Sequence, residues 1–293
     1  MKMGIGTAQF GMDYGVANRN GKASAEEIAS ILKFACEKRI EYIDTACLYG
    51  DSEAALGLAL PECHSFRIIT KTPHFETSQI NVGDAAKLRS TFTESLIRLR
   101  QKSIYALLLH NANDLLKPGG EILFNEMLDL KKSRKVLKIG VSVYTGRQID
   151  AISDRFEIDI IQLPINIFDQ RLLKSGHLER LKSKGIEIHS RSAFLQGLLL
   201  LTGEKLPIYL SEYQQILDNY HARLKQSGIS SLQAALWFLS GIREVDCVIC
   251  GVESCCQLEE LYSLSSSPGV FADYSEFAVD DERLVDPSLW KKN

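Results

Sequence analysis

The stretch KIGVSVYTGRQIDAISDRFEIDIIQL (residues 138–163) contains the pattern that decides the fold. An apolar run at 138–142 is followed by an amphipathic segment at 146–156, and a second apolar run begins at 158. Short apolar runs on either side of a helical pattern are typical of a strand–helix–strand unit. Such a unit pairs its two strands in parallel through a right-handed crossover.

The same alternation continues in both directions along the chain. Amphipathic stretches lie between the apolar runs; Ser24 and Ser52 are predicted to cap two of them, and a third is predicted to start on Asp84. Eight runs have the composition of strands: residues 3–9, 42–45, 67–71, 104–110, 138–142, 158–163, 186–191 and 246–250. Eight such units in 293 residues predict an α/β fold, a (β/α)8 TIM barrel forming a single domain over residues 1–293.

A doubly wound open sheet is the competing architecture. It would need a G-x-G-x-x-G turn between the first strand and a helix. The chain has only Gly4 and Gly6 inside the first strand and Gly11 after it, with no helix predicted there. The barrel is therefore favoured. The C-terminal segment 268–293 lies outside the repeat, and its apolar residues predict that it packs on the barrel: Phe271, Tyr274, Phe277, Leu284 and Trp290.

Charge and hydropathy exclude several classes of protein. The chain has 34 basic and 37 acidic residues, a net charge of −3, so it lacks the basic surface of a nucleic-acid-binding protein. No apolar run reaches the roughly 18 residues of a membrane-spanning helix. The first residues lack the apolar core of a secretion signal, which predicts a cytoplasmic protein.

Two of the seven cysteines, Cys247 and Cys250, have the C-x-x-C spacing of zinc and redox sites. No histidine lies nearby, and the surrounding sequence predicts a buried strand. Residues three apart on a strand point to opposite faces, so the pair cannot act together. We interpret both as apolar core residues, and we expect no metal site.

Ionisable residues end three consecutive predicted strands: Asp44 the second, Lys71 the third and His110 the fourth. Tyr49 follows Asp44 in a short loop. Each residue alone is compatible with a structural role, such as a cap or a solvated strand end. In a parallel barrel, however, the carboxyl ends of neighbouring strands surround one cavity. We therefore expect these four side chains to share it.

Such a set is suited to donating a proton to a carbonyl group. A tyrosine has an ordinary pKa near 10 and needs a neighbouring cation to stabilise its phenolate. Lys71 supplies that cation, and Asp44 keeps the lysine charged and oriented. Lys71 could instead form a Schiff base as a nucleophile, but Asp44 beside it argues for a protonated amine.

At these residues the sequence resembles the aldo-keto reductase superfamily. YIDTACLYGDSEAALG (42–57) is similar to the family signature D-T-A-x-x-Y-G-x-S-E, which contains a catalytic Asp and Tyr. ITKT (69–72) and LLLHNAND (107–114) resemble the strands with the catalytic Lys and His. Further similar stretches follow in the family order: GIGTAQFG (4–11), GVSVY (140–144), IIQLPINIFDQRLL (160–173), SRSAFLQGLLL (190–200) and CGVESCCQLEEL (250–261).

The resemblance implies a reductase that converts an aldehyde or ketone to an alcohol with NADPH. It assigns Tyr49 as general acid, Lys71 as the residue that lowers its pKa, Asp44 as the support of Lys71, and His110 as the residue that orients the carbonyl. The implied cofactor-binding residues are Gly6, Thr7, Ala8, Asp44, Ser142, Gln162, Arg191, Ser192, Phe194, Gln196, Gly197, Gly251, Glu253, Ser254 and Gln257.

The sequence departs from the family pattern at several cofactor positions. Val143 replaces an Asn that would hold the nicotinamide carboxamide, and Arg191 replaces the aromatic residue that stacks on the nicotinamide ring. Gly251 and Gln257 stand where many members have basic residues for the 2′-phosphate, and Glu253 adds an acid. The first amides of the last helix could still hold a phosphate. NADPH is therefore expected, with NADH as an alternative.

Two other functions remain open at this point. One is an NADPH-binding regulatory or redox-sensing subunit with little turnover, and the other is a Schiff-base lyase that uses Lys71. The expected partner is a small carbonyl compound, and neither nucleic acid nor a membrane is expected. The predicted walls of its pocket are the loops 10–14, 73–75 and 111–116 together with Phe168, whereas the oligomeric state is left open.

Overall fold

The computed structural model describes residues 2–202, 206–266, 269 and 273–290. Eight parallel strands form a closed barrel in the order of the sequence, which confirms the predicted (β/α)8 fold. The strands are β1 Lys2–Gly6, β2 Tyr42–Asp44, β3 Arg67–Lys71, β4 Ile104–Leu109, β5 Val136–Ser142, β6 Ile160–Pro164, β7 Glu187–Arg191 and β8 Cys247–Gly251.

Helices surround the barrel and connect the strands. The α-helices are α1 Ala8–Gly11, α2 Ala25–Glu37, α3 Ser52–Ala59, α4 Val82–Arg98, α5 Asn113–Leu116, α6 Gly120–Lys132, α7 Gly146–Ser153, α8 Arg171–Lys174, α9 His177–Ser183, α10 Gln214–Gln226, α11 Ser231–Ser240, α12 Cys255–Ser266 and α13 Glu282–Val285. Short 3-10 segments occupy Leu195–Leu200, Ile208–Tyr213, Ser275–Phe277 and Pro287–Leu289.

Three predictions about helix starts were wrong. Helix α3 follows Asp51, and the hydroxyl of Ser52 donates instead to the carbonyl oxygen of Thr7 at 2.7 Å in the interior. Helix α4 begins before Asp84 because Asn81 caps it and the Asp84 side chain completes the capping box. A single turn, α1, also opens directly after β1, where no helix was predicted.

The barrel interior and the layer between barrel and helices are separate apolar clusters. Cys247 belongs to the interior cluster, with Tyr42, Ile69, Leu108 and others, whereas Cys250 belongs to the outer layer. Both cysteines are buried, and their opposite orientations confirm what the strand geometry predicted.

The register of the barrel brings the ionisable strand ends to one mouth. Gly6 of β1 pairs with Asp44 of β2, and Asp44 pairs with Ile69 of β3. Lys71 lies two residues beyond Ile69, so its side chain points to the same face as that of Ile69. Asp44 and Lys71 therefore project into the barrel at adjacent levels.

The C-terminal segment contacts the loop after β6. The Gln170 side-chain amide donates to the Tyr274 carbonyl oxygen at 2.8 Å, and Val279 N donates to the Phe168 carbonyl oxygen at 2.8 Å. Tyr274, Leu284 and Trp290 are buried. Phe271, which the sequence also predicts to pack here, lies outside the described residues. Among the helices that the structure describes, none is long and apolar enough to cross a bilayer.

Candidate active site

A cavity of about 560 Å³ opens at the carboxyl ends of the strands. All but one of the residues assigned from the resemblance line it: Gly6, Thr7, Ala8, Asp44, Tyr49, Lys71, His110, Ser142, Gln162, Arg191, Ser192, Phe194, Gln196, Gly197, Gly251, Glu253 and Gln257. Ser254 is not among the lining residues in the described part of the chain. Its hydroxyl instead accepts a hydrogen bond from Gln257 N at 3.3 Å.

A chain of hydrogen bonds joins Asp44, Lys71 and Tyr49 at the floor of the cavity. The Lys71 ammonium donates to Asp44 Oδ2 at 2.6 Å, to the Thr45 carbonyl oxygen at 2.9 Å and to the Tyr49 hydroxyl at 3.4 Å. Asp44 and Lys71 are 4% and 2% exposed. The ion pair is therefore almost entirely removed from water, which strengthens the interaction between its two charges.

Gln162 has a different partner from the one that the resemblance implies. Its side-chain amide donates to Asp44 Oδ1 at 2.7 Å, while Lys71 occupies Oδ2. Both carboxylate oxygens of Asp44 thus have a donor. A carboxylate with both oxygens engaged is fixed in orientation, and it in turn fixes the position of Lys71.

The electrostatic surroundings act on Tyr49 and Lys71 in opposing ways. Burial raises the pKa of Tyr49 above its ordinary value, and the Asp44 carboxylate raises it further, whereas the Arg191 cation lowers it. Burial lowers the pKa of Lys71, and Asp44 opposes that effect. Tyr49 therefore holds its proton at neutral pH, as a proton donor must.

His110 lies against Tyr49, with the two rings edge to face and 5.8 Å apart. Burial lowers the pKa of His110 to about 2, and the neighbouring cations of Lys71 and Arg191 act in the same direction. Its Nδ1 atom is buried without a hydrogen-bond partner in the described structure. The imidazole is therefore neutral and retains unused hydrogen-bonding capacity next to the phenol.

This low pKa predicts that the protein loses stability in acid partly through His110. The pKa of a histidine in an unfolded chain is near 6.5. Below that pH the histidine binds a proton in the unfolded state, whereas His110 stays neutral in the native state. Stability is complete above pH 6.5 and falls by up to about 1.4 kcal/mol per pH unit below it. When the pH is lowered from about 7 to 5, we expect the free energy of unfolding of His110→Asn to fall by about 2 kcal/mol less than that of the unsubstituted protein. Urea denaturation at both pH values measures the difference, and equal losses would contradict a neutral His110.

Two tyrosines that were given no catalytic or cofactor role from the sequence also line the cavity, Tyr14 and Tyr144. Burial raises the pKa of Tyr14 to about 12, with Tyr49 as the next largest cause. Tyr14 lies in the loop 10–14 that was predicted as a pocket wall. By contrast, Phe75 of loop 73–75 and Phe168 are buried in the apolar core, so neither is a wall of this cavity.

Arg191 stacks on Tyr144 at the end of β7. The guanidinium carbon lies 4.0 Å from the ring centroid, and one Nη donates to the Val143 carbonyl oxygen at 3.0 Å. The other Nη donates to the Ser192 hydroxyl at 3.3 Å. The tyrosine next to Val143 thus supplies an aromatic surface that the sequence comparison did not identify.

The backbone after β7 adopts strained conformations. Ser192, Leu195 and Gln196 have φ of 62°, 49° and 55°, in the left-handed region that side chains other than glycine rarely adopt. Gly197 continues it at φ 90°, where an added Cβ would lie 2.5 Å from Ala17 Cβ. Such strain persists at functional sites, and successive unusual turns of this kind aim backbone N–H groups at anions.

The opposite end of the cavity, between β8 and α12, is acidic. Glu253 and Glu260 line it, and the Glu253 carboxylate accepts hydrogen bonds from the side-chain amides of Asn20 at 2.9 Å and Gln257 at 3.1 Å. Among the described lining residues, the only lysine and arginine are Lys71 and Arg191.

Three of the N–H groups around the start of α12 already have partners. Cys255 N donates to the Glu27 carboxylate of α2 at 2.8 Å, and Glu253 N donates to Gln257 Oε1 at 3.0 Å. With Ser254 accepting from Gln257 N, three N–H groups are engaged. These three N–H groups are therefore not free to bind a phosphate.

The fold is a (β/α)8 barrel whose mouth brings Asp44, Tyr49, Lys71 and His110 into one cavity. The sequence profile of the aldo/keto reductase family matches residues 2–274, so the chain belongs to that family. Family membership supports oxidoreductase activity on small carbonyl compounds, and aldo-keto reductases generally use nicotinamide cofactors.

Two solved structures illustrate the likeness of fold. The holo form of the aldo-keto reductase AKR11C1 from Bacillus halodurans has 19% identity and a TM-score of 0.73, covering 94% of this chain and 90% of its own. The glycerol dehydrogenase AKR11B4 from Gluconobacter oxydans has 19% identity and a TM-score of 0.69, covering 94% and 89%. No curated protein sequence is significantly similar to the chain.

Proposed function

We propose that the protein is an NAD(P)H-dependent reductase that converts an aldehyde or ketone to an alcohol, with Tyr49 as the proton donor. One observation carries the proposal: Asp44, Lys71 and Tyr49 form a continuous hydrogen-bonded chain that ends beside His110 in one cavity. This arrangement supplies a positioned acid and stabilises the anion that the acid leaves behind, which are the requirements for protonating a carbonyl oxygen.

Each of the four residues has a distinct part in this proposal. Tyr49 donates its hydroxyl proton to the oxygen of the reduced carbonyl. The Lys71 ammonium, 3.4 Å from the Tyr49 oxygen, stabilises the resulting phenolate by its charge. Asp44 keeps that ammonium protonated and in place, so Lys71 acts as a charge partner of the phenol and not as a Schiff-base nucleophile. The neutral imidazole of His110 orients the carbonyl oxygen.

The cavity residues fit a nicotinamide dinucleotide. The strained turn at 192–197 lies where the resemblance places the pyrophosphate. Gly251 leaves the backbone open to the cofactor, because an added Cβ there would lie 2.9 Å from the Gln9 side chain. Ser142 and Gln162 lie at the ends of β5 and β6, paired in register, where a carboxamide could bind both. The remaining proposed contacts are Gly6, Thr7, Ala8, Asp44, Arg191, Ser192, Phe194, Gln196, Gly197, Glu253, Ser254 and Gln257. When bound, the reduced nicotinamide supplies the hydride for the carbonyl carbon.

The acidic end of the cavity bears on the choice between NADPH and NADH. A 2′-phosphate carries nearly two negative charges and needs cationic or N–H donors. Here the nearby helix amides are engaged by Glu27 and neighbouring side chains, and Glu253 adds a negative charge. We therefore propose that NADH binds at least as tightly as NADPH, with the adenosine ribose beside Glu253.

Gln257→Arg tests this choice by adding a cation at the same place. We expect the ratio of NADPH to NADH affinity to rise about tenfold, which corresponds to about 1.4 kcal/mol. Fluorescence titration with each cofactor gives the two dissociation constants. Gln215→Arg adds the same charge on the exposed surface of α10 and serves as the control. Tighter binding of NADPH than of NADH by the unsubstituted protein, or an unmoved ratio in Gln257→Arg, would contradict the proposal.

The experiment for the proposed activity is a panel of aldehydes and ketones assayed with NADH and NADPH. We expect oxidation of the cofactor to be matched by an equal amount of alcohol. Tight cofactor binding without turnover of any carbonyl would indicate a regulatory binding subunit instead. A borohydride-trapped substrate adduct on Lys71 would indicate a Schiff-base lyase.

A further inference from the structure

Arg191 is a cation without an acidic partner in the cavity. Its hydrogen bonds go to a carbonyl oxygen, that of Val143, and to the Ser192 hydroxyl, and its planar face rests on Tyr144. Within the described residues, no carboxylate approaches the guanidinium to within 4.0 Å. Its Nε is buried with no hydrogen-bond partner. A partly buried guanidinium with neutral partners only is unusual, because burial of an unpaired charge is costly.

The inner part of the cavity therefore has a net positive charge. Lys71 is neutralised by Asp44, with which it forms an ion pair at 2.6 Å. His110 is neutral because its pKa lies far below 7, and Tyr49 keeps its proton. Arg191 nevertheless acts on both of these groups, lowering the pKa of each. The charge of Arg191 is thus close enough to act on the acid–base residues, and no carboxylate beside it in the described part of the chain offsets that charge.

The geometry points to a ligand whose negative charge neutralises the Arg191 guanidinium. We propose that Arg191 binds an oxyanion, a carboxylate or a phosphate, on the carbonyl substrate, so that the enzyme selects anionic aldehydes or ketones over neutral ones. This inference rests on the proposed reductase function and names its substrate class. Arg191 then determines specificity, and Tyr49 carries out the proton transfer on a substrate that Arg191 has anchored.

The side chain is prepared for this role by its contacts. A guanidinium has five N–H donors, of which the Val143 and Ser192 contacts use two, and both Nη atoms keep one N–H each. Two N–H donors on one guanidinium can bind the two oxygens of a carboxylate. Stacking on Tyr144 holds the plane in one orientation, so less side-chain entropy is lost when the anion binds.

The test uses a matched pair of aldehydes, 4-carboxybenzaldehyde and its methyl ester. A hydrogen bond to a charged group contributes about 1.5–3 kcal/mol, so we expect kcat/KM for the acid to exceed that for the ester by about 10- to 100-fold. In Arg191→Gln this ratio should fall to about one, mainly through a higher KM for the acid, whereas Arg191→Lys should retain part of it. Arg147→Gln, which removes an exposed arginine on α7, is the control and should keep the ratio.

A binding measurement separates this inference from the proposed function. Calorimetry with 4-(hydroxymethyl)benzoate, the product of the acid, needs no turnover, and Arg191→Gln should weaken its binding by about 10-fold or more. Equal use of acid and ester by the unsubstituted enzyme would overturn the anion site while leaving the reductase function intact. A loss of NADH and NADPH affinity in Arg191→Gln, with the acid-to-ester ratio unchanged, would assign the charge to the cofactor pyrophosphate and also overturn the inference.

Discussion

Tyr49→Phe is expected to lower aldehyde turnover by about 10²- to 10⁴-fold, the usual contribution of a positioned general acid. The substitution removes the hydroxyl that accepts from Lys71 at 3.4 Å and leaves the ring in contact with His110. Cofactor affinity should change by less than about threefold, because the phenol ring still fills its space. Steady-state turnover with saturating cofactor gives the first quantity, and fluorescence titration gives the second.

Tyr105→Phe is the matched control for this experiment. Its hydroxyl donates to Glu187 at 2.6 Å, and neither residue lines the cavity. The control therefore loses a tyrosine hydroxyl bond without losing a group of the proposed site. If Tyr49→Phe kept more than about a tenth of the turnover, the proton would come from another donor, and Tyr14 would be the next residue to test.

Asp44→Asn is expected to produce the largest loss of stability. The substitution removes the counter-charge of the Lys71 ammonium, a residue that is 2% exposed. The ammonium then keeps its hydrogen bonds to the Thr45 carbonyl oxygen and to the more distant Tyr49 hydroxyl. Breaking a buried ion pair from one side costs about 3–5 kcal/mol, because the remaining charge stays buried. Urea denaturation of the variant measures this loss directly.

The double variant Asp44→Asn/Lys71→Met shows whether the loss comes from the unpaired charge. Removing both charges leaves no buried ion, so the double variant should be more stable than Asp44→Asn alone.

Lys71→Met by itself should cut turnover severely and raise the pH at which Tyr49 ionises, because the phenolate loses its cation. Additive losses of stability, or a pH–rate profile that neither single variant alters, would contradict the coupling of these residues.

The strands were predictable from the sequence because a barrel buries both faces of each strand. The runs RIITK and IYALLL are therefore largely apolar. They form β3 at 67–71 and β4 at 104–109 in the structure. Helix starts were less predictable, since several residues near each boundary are able to cap. Ser52 has the chemistry of a cap, but its hydroxyl is used in the interior contact with Thr7.

The grouping of Asp44, Tyr49, Lys71 and His110 was also predictable, because strand order alone brings consecutive strand ends together. The partners of Gln162 and Arg191 were not, because they depend on side-chain directions across the cavity. Pro287 and Ser288 likewise line the cavity although they lie far along the chain. No local pattern marks a C-terminal residue that returns to the barrel mouth, so such wall residues are visible only in the structure.

Incubation with a cofactor that carries deuterium in both C4 positions of the reduced nicotinamide shows whether the chain transfers a hydride to a carbonyl carbon. The protein would be incubated with labelled NADH or NADPH and a panel of aldehydes and ketones that includes 4-carboxybenzaldehyde, and the alcohol analysed by mass spectrometry. We expect one deuterium per alcohol at the former carbonyl carbon, and a large decrease in the labelled product with Tyr49→Phe. Alcohol without cofactor-derived deuterium, or no alcohol from any carbonyl with either cofactor, would contradict it.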